Sequence, residues 1–376
     1  MSLGNQLYQQ LRGDKVIWAI LLVLSIISVL IVYSSTDLLS YRRADGNTEF
    51  YLLKHVAILS LGLVIAYACF LMNYRKYLVA APYLLLLSIP LLIYTLAAGV
   101  DLNEARRWIE VPFVGITFQS SDFAELALVI FVAKEITSRQ DDIKDFQAAF
   151  LPILTAVLIV CGLIAPADLS TAAVLFFTCL TMMFVGRVPL KFIGTLFLAG
   201  LVVFSFIYML GDIYPEIFGR TSTWVKRIDE FKSDVDPYQI TQAKIAIANG
   251  EYFGLGPGNS VQHYVLPHAY SDFVYATIIE EYGLIGGFLV MFLYILLFVR
   301  VSKLVTRSSK TFGAMLAVGL SVLLIIQALM NMAVSVDLIP VTGLTLPMLS
   351  LGGTSLLFTC VAFGIILSVS KYVDRA

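Results

Sequence analysis

Several acidic side chains in this sequence stand where water-facing chain meets long apolar runs. The clearest is Asp272, in Leu266-Pro267-His268-Ala269-Tyr270-Ser271-Asp272-Phe273, where the polar stretch 211–272 gives way to another apolar run. A carboxylate at a bilayer boundary is costly unless it caps something, pairs with something or does chemistry. Two roles suit it. Ser271-Asp272 can cap the helix that follows, favoured by the positive end of its dipole. Kept ionised by that same dipole, Asp272 can also act as a general base. The two roles are compatible.

Other residues invite the same weighing. Asn103-Glu104-Ala105-Arg106-Arg107-Trp108-Ile109 reads as an interfacial anchor, with Trp at headgroup depth and Arg beside lipid phosphate. Alternatively Arg107 grips a pyrophosphate, because planar guanidinium donors fork onto phosphate oxygens. Asp122 and Glu125 lie three residues apart, on one face of a helix with no basic neighbour, and need partners elsewhere. Asp168 falls at the mouth of two apolar runs, and Glu280 and Glu281 lie inside a third. Acids inside a membrane are functional candidates, and structural pairing is the plainer alternative. His55, His263 and His268 are scattered and read as loop or interface residues, not ligands. Cys69, Cys161, Cys179 and Cys360 sit in apolar runs without metal-ligand spacing and read as small buried hydrophobes.

The elements that must position these residues are membrane helices. Of 376 residues, 59% are hydrophobic and 14% charged, a balance that implies an integral membrane protein. A net charge of -1 gives no basic surplus for nucleic acid. About twenty apolar residues span a bilayer as a helix. Candidate spans start near Val16, Val56, Tyr77, Ile116, Ala149, Thr171, Leu190, Phe273, Phe312 and Thr354. The expected fold is therefore an all-α polytopic membrane protein of about ten helices. It forms one domain over 1–376, with one long extracytoplasmic loop (211–272) between helices 7 and 8. Arg12 and Lys15 precede a first span that lacks a small-residue cleavage site and reads as retained. Basic pairs such as Arg75-Lys76, Arg187 with Lys191, and Arg300 with Lys303 place both termini in the cytoplasm and the loop outside. Within the loop, Tyr238–Ala248 has apolar residues at helical spacing and reads as an amphipathic helix at the interface. Gly254, Gly256 and Gly258 follow no strand, so they form tight turns and not a phosphate cradle. No internal repeat of the transporter kind is visible.

Taken together, these stretches resemble the SEDS family of peptidoglycan glycan polymerases, which includes FtsW and RodA. Arg106-Arg107-Trp108-Ile109 with Gln119-Ser120-Ser121-Asp122 resembles its R-W-I and Q-P-S-E block, and Ala167-Asp168-Leu169-Ser170-Thr171 its P-D-L-G-T. Tyr238-Gln239 with Gln242, then Gly254 to Ser260, is similar to its outer loop. Leu266 to Phe273 and Glu280-Glu281-Tyr282-Gly283 are similar to L-P-E-x-H-T-D-F and E-E-L-G. Pro340 to Pro347 with Ser350 to Ser355 resembles its P-x-T-G-x-x-L-P and S-x-G-G-S. The loop is nearer the division branch, FtsW, than the elongation branch, RodA. Glu125 stands where the family usually has Lys, Asp122 replaces a Glu, and Glu104 replaces a Gly.

The resemblance implies polymerisation of lipid II, with inversion, at the outer face of a bacterial inner membrane. It points to Asp272 as the catalytic base. Arg106, Arg107, Trp108, Gln119, Asp168, Gln239 and Lys244 are the implied substrate-binding set, with Lys226 and Arg227 as further loop cations. Asp122, Glu125, Glu280 and Glu281 stay open between structure and function. No cofactor is required, although Mg²⁺ or Mn²⁺ would suit carboxylate, phosphate and water ligands. The 376 residues hold no transpeptidase domain, so cross-linking implies a class B penicillin-binding protein as partner, alongside other cell-division membrane proteins. The competing functions are a lipid-linked precursor flippase or transporter, a non-catalytic scaffold, and a RodA-type elongation polymerase.

Overall fold

The computed structural model describes residues 13–35, 48–102, 105–110, 117–213, 219–233, 236–267, 269–307 and 311–373. His268, Asn103 and Glu104 lie outside them, as does the side chain of Arg106. The chain begins with α1 (Lys15–Ser35), α2 (Thr48–Leu71) and α3 (Arg75–Ala98). Three short strands follow, β1 (Val100–Leu102), β2 (Ala105–Glu110) and β3 (Thr117–Gln119). Then come α4 (Ser120–Ser138), α5 (Leu151–Ile164), α6 (Leu169–Val185) and α7 (Leu190–Ile213). The long loop holds α8 (Gly219–Lys232) and α9 (Tyr238–Gly250), and α10 (Val274–Arg307), α11 (Thr311–Ser335) and α12 (Gly353–Val373) complete the bundle.

Ten of these helices, α1 to α7 and α10 to α12, match the ten expected spans. Eight are long and apolar enough to cross a membrane, with α5 counted from Phe146 through the π-helical turn before it. Of the other two, α6 is shorter, and α4 carries Asp122, Glu125, Lys134 and Glu135. The protein is a multi-pass membrane protein. Its core is α11 and α12, whose most apolar windows are 78% and 72% buried, whereas α7 at 6% lies on the periphery.

The fold is the expected all-α bundle with one small sheet added, and one boundary needs correction: the fourth span starts at Ser120 and not near Ile116. Thr117–Gln119 instead pairs with β2 in a three-stranded antiparallel sheet of order β1-β2-β3. Its register sets Trp108 opposite both Val100 and Gln119. Asp101 pairs with Arg106 and Val100 with Trp108, so Arg107 is the extra residue of a β-bulge. A bulge re-aims the side chain it carries, and here that side chain is Arg107.

The expected amphipathic helix is α9, and its apolar face meets protein. Ile240, Ala243 and Ala246 are buried with Phe273, Ala276 and Val334, at the start of α10 and the end of α11. A second loop helix, α8, precedes α9. α10 breaks at Gly283 (φ 70°, ψ -176°). A Cβ there would stand 2.2 Å from the Tyr252 carbonyl oxygen, and one on Gly254 2.2 Å from that of Glu281. Only glycine allows the loop backbone to approach the helix this closely while holding a positive φ.

Candidate functional site

A cavity of about 390 Å³ opens where the sheet, the loop helices and the ends of α4, α6, α11 and α12 converge. Arg107, Trp108, Gln119, Asp168, Gln239 and Asp272 all line it, joined by Asp122 and Glu125. Chain segments distant in sequence are thus brought to one place.

Asp272 lies in a turn, two residues ahead of α10, and its backbone is tied down from the C-terminal third of the chain. The Asn331 amide donates to the Asp272 carbonyl (2.8 Å) and to that of Leu344 (2.7 Å). The Ser350 hydroxyl donates to the Ser271 carbonyl (2.6 Å) and accepts from the Leu346 N–H (2.8 Å). The Leu351 N–H closes the set by donating to the Tyr270 carbonyl at 2.9 Å. Gly343, at φ 73°, packs beside the carboxylate, for a Cβ there would sit 3.7 Å from Asp272 Oδ2. The Pro340–Pro347 and Ser350–Ser355 stretches therefore cradle the turn that carries Asp272.

Arg107 joins the sheet to α6. Its Nη1 meets Asp168 Oδ2 at 2.9 Å, and its Nε donates to the Ala167 carbonyl at 3.1 Å. Asp168 is buried and also caps α6, accepting from the Thr171 N–H at 3.2 Å. A guanidinium has five donors, so Arg107 keeps others for a ligand. Arg227, from α8, lines the cavity as well and donates to the Val341 carbonyl at 3.1 Å. Burial, and then the like charge of Arg107, pull its guanidinium below the usual value, opposed by Asp168, Asp272 and Glu230. Arg107 and Arg227 thus share one field with Asp168 and Asp272.

At the cavity floor, Gln327 Nε2 donates to Glu125 Oε2 at 2.8 Å. Among the described residues an amide, and not a cation, answers Glu125. The buried Oδ2 of Asp122 has no hydrogen-bond partner among the described residues. Gln119 is fixed by its N–H on Thr354 Oγ1 (3.1 Å) and its amide on Ser121 Oγ (3.0 Å).

Other candidates lie elsewhere. Lys244 does not line the cavity and instead pairs with Asp236 (2.8 Å) and Asp337 (2.5 Å). Lys226 is exposed and faces Glu230 at 3.8 Å. Glu280 anchors the loop. Its carboxylate accepts from the Ser260 hydroxyl, from the Val261 N–H at 3.2 Å and from the Gln262 N–H at 3.2 Å. Glu281 accepts from the Ser34 hydroxyl on α1. Two histidines are more buried than loop or interface placement suggests. His55 is buried in α2 against Ser28 (2.9 Å), and His263 is buried in a short 3₁₀ turn. Among the described residues, no group of three or more His, Cys, Asp and Glu is placed to hold a metal ion. Asp168 is answered by Arg107.

The sequence underrated Arg227 and passed over Gln327 and Asn331. The last two carried a signal: polar residues four apart, on one face of an otherwise apolar span.

Known proteins share this architecture. A chain solved in a study of a peptidoglycan synthase complex coordinating polymerization and crosslinking superposes with a TM-score of 0.76 at 24% identity, covering 97% of this chain and 99% of that one. The crystal structure of Thermus thermophilus RodA, a rod shape determining protein, gives 0.68 at 23%, covering 96% and 97%. In sequence, the probable peptidoglycan glycosyltransferase FtsW of Coxiella burnetii is 33% identical over 95% of this chain and 96% of its own. Stage V sporulation protein E of Bacillus subtilis is 31% identical over 96% and 97%. The family described as "Cell cycle protein", comprising FtsW, RodA and SpoVE, matches residues 14–375, and the chain belongs to that family.

Proposed function

We propose that the chain is a peptidoglycan glycosyltransferase that polymerises lipid II at the outer face of the cytoplasmic membrane, with both termini in the cytoplasm. The relatives named FtsW support the glycosyltransferase reading and a role in septal wall synthesis over elongation. The observation that carries the chemistry is the cavity shared by Asp272, Arg107 and Arg227. The Asp272 carboxylate takes the proton from the 4-hydroxyl of one sugar. That oxygen attacks the anomeric carbon of the other from the face opposite the leaving group, which inverts the centre. The bond to pyrophosphate breaks and its electron pair leaves with the lipid pyrophosphate. An alkoxide leaving group would need a protonating acid. Pyrophosphate leaves as a stable anion, so one base and a cationic cradle suffice. Arg107 and Arg227 supply the cradle, and Trp108 packs on the junction of sugar and lipid. Cross-linking falls to a class B penicillin-binding protein.

Purified protein in liposomes given labelled lipid II tests this. Elongated glycan is expected from the native chain and none from Asp272→Asn, with insertion intact. Full activity of that variant removes Asp272 as the base. Label crossing the bilayer without glycan makes the protein a flippase.

A further inference from the structure

Phe253 is 82% exposed and Tyr252 70%; Phe253 is the most exposed large hydrophobic residue described. Leu255 beside them is 43% exposed, and Tyr252 to Asn259 contains no charge. A lone exposed aromatic on a water-facing loop needs no explanation. This group does, because the backbone fixes its height against a membrane span. The Leu284 N–H donates to the Glu251 carbonyl (2.9 Å) and the Ile285 N–H to that of Tyr252 (3.3 Å). The Leu255 and Gly256 N–H groups donate to Glu280 (2.9 Å) and Glu281 (3.0 Å). At Ile285 the apolar stripe of α10 begins, with Ile285, Phe288, Leu289 and Phe292 exposed at helical spacing. On a membrane span that stripe is the lipid face. The loop tip is thus continuous with it and sits at its upper end.

We infer that the Tyr252–Leu255 turn is seated in the boundary between headgroups and acyl chains of the leaflet on the loop's side, Phe253 deepest and Tyr252 at headgroup level. Tyr settles at that depth because its ring prefers hydrocarbon and its hydroxyl water, and the wholly apolar ring of Phe goes deeper. An uncharged, glycine-bounded tip suits lipid better than a protein partner, which would be steered and oriented by charge. The anchor has a consequence that rests on the proposed function. The turn is bonded to the α10 segment that leads back to Asp272. Its depth therefore fixes the height of that carboxylate above the bilayer, where the sugar of a lipid-tailed substrate must lie.

The test uses the full chain in phospholipid nanodiscs. Phe253→Trp adds one indole to the three native ones, and the difference from the native spectrum isolates it. The expected added emission is blue-shifted, quenched by lipids brominated near the glycerol end and insensitive to aqueous iodide. Added emission quenched by iodide and untouched by brominated lipid overturns the inference and makes the tip a surface for a soluble partner. Tyr252→Trp repeats the reading at a second position, with shallower bromine the stronger quencher. Neither measurement uses lipid II, so anchoring can fail while the glycosyltransferase reading stands, and the reverse.

Discussion

Asp272 and Glu280 are both acids at the junction of loop and α10, eight residues apart, yet their surroundings assign them different work. Glu280 is fully buried and surrounded by donors: the Ser260 hydroxyl, two backbone N–H groups and, at 3.5 Å, the Asn249 amide. A carboxylate so satisfied is held, and it holds the loop in return. Asp272 is fastened through its backbone, by Asn331, while its side chain lines a cavity that also contains two guanidinium groups. Fixing an acid by its main chain leaves its carboxylate in place for chemistry. Which atoms of an acid carry the structural bonds is therefore more informative than its depth or its neighbours in sequence.

Substitutions can break this contrast. Asp272→Asn keeps the shape and removes the basicity. Turnover of lipid II is expected to fall at least about 100-fold, the usual scale for losing a general base. Unfolding in detergent, followed by thermal denaturation, should stay close to native. A parallel loss of stability would mean that the carboxylate also carries the fold, and the contrast with Glu280 would disappear.

Arg107→Ala comes next. It strips the buried Asp168 of its cation, and breaking such a pair by deleting one partner costs about 3 kcal/mol. In the proposed mechanism it also removes a pyrophosphate ligand. Both stability and turnover should drop, whereas Arg107→Lys keeps the charge, loses the fork and should impair turnover more than stability. Michaelis kinetics beside a melting curve separate the two; equal losses in both measurements for the Lys variant would reduce Arg107 to a structural strut.

Much of this was legible in the chain, for identifiable physical reasons. Eight of the ten expected spans follow from the length of apolar runs, and α9 from helical spacing of Ile240, Ala243 and Ala246. Arg107, Asp168 and Asp272 stood out as charged residues at span boundaries, Gln119 and Gln239 only through the family resemblance, and the fold brings all five to one cavity. The sheet was not legible, because strands of three residues leave too little alternation to read. Neither was the bulge that turns Arg107, which depends on pairing between Val100–Asp101 and Arg106–Trp108. The answer to Glu125 came from Gln327, about two hundred positions away, through packing of α4 on α11 that no local pattern encodes. That Lys244 lies off this cavity was not legible, because a loop cation reads the same whether it faces a ligand or two aspartates.

Glu280→Ala sharpens the comparison from its structural side. Removing the carboxylate leaves the Val261 and Gln262 N–H groups without their acceptor, at about 1–3 kcal/mol for each buried group left unpaired. The melting temperature should fall, with turnover per folded molecule changed less than by Asp272→Asn. Hydrogen exchange should rise over 260–264 before it rises elsewhere. If turnover collapses while melting and exchange are unchanged, Glu280 belongs to the chemistry and the division between the two acids is wrong.

The smallest effect is expected at Lys244, and it tests whether every loop cation matters. Its ammonium is 44% exposed and bridges Asp236 and Asp337, and its pKa is raised by the hydrogen bonds to Asp236 and then Asp337. A raised lysine pKa adds stability that is complete below its unfolded value and fades only as pH climbs through the folded one. Across the neutral range the bridge is thus constant, and solvent screening keeps an exposed pair to about 1 kcal/mol or less. Lys244→Ala should shift melting slightly and leave turnover of lipid II nearly native at pH 7. A loss of turnover approaching that of Arg107→Ala would show the ammonium leaving its two aspartates to meet substrate, and the boundary of the site would then have to be extended along α9.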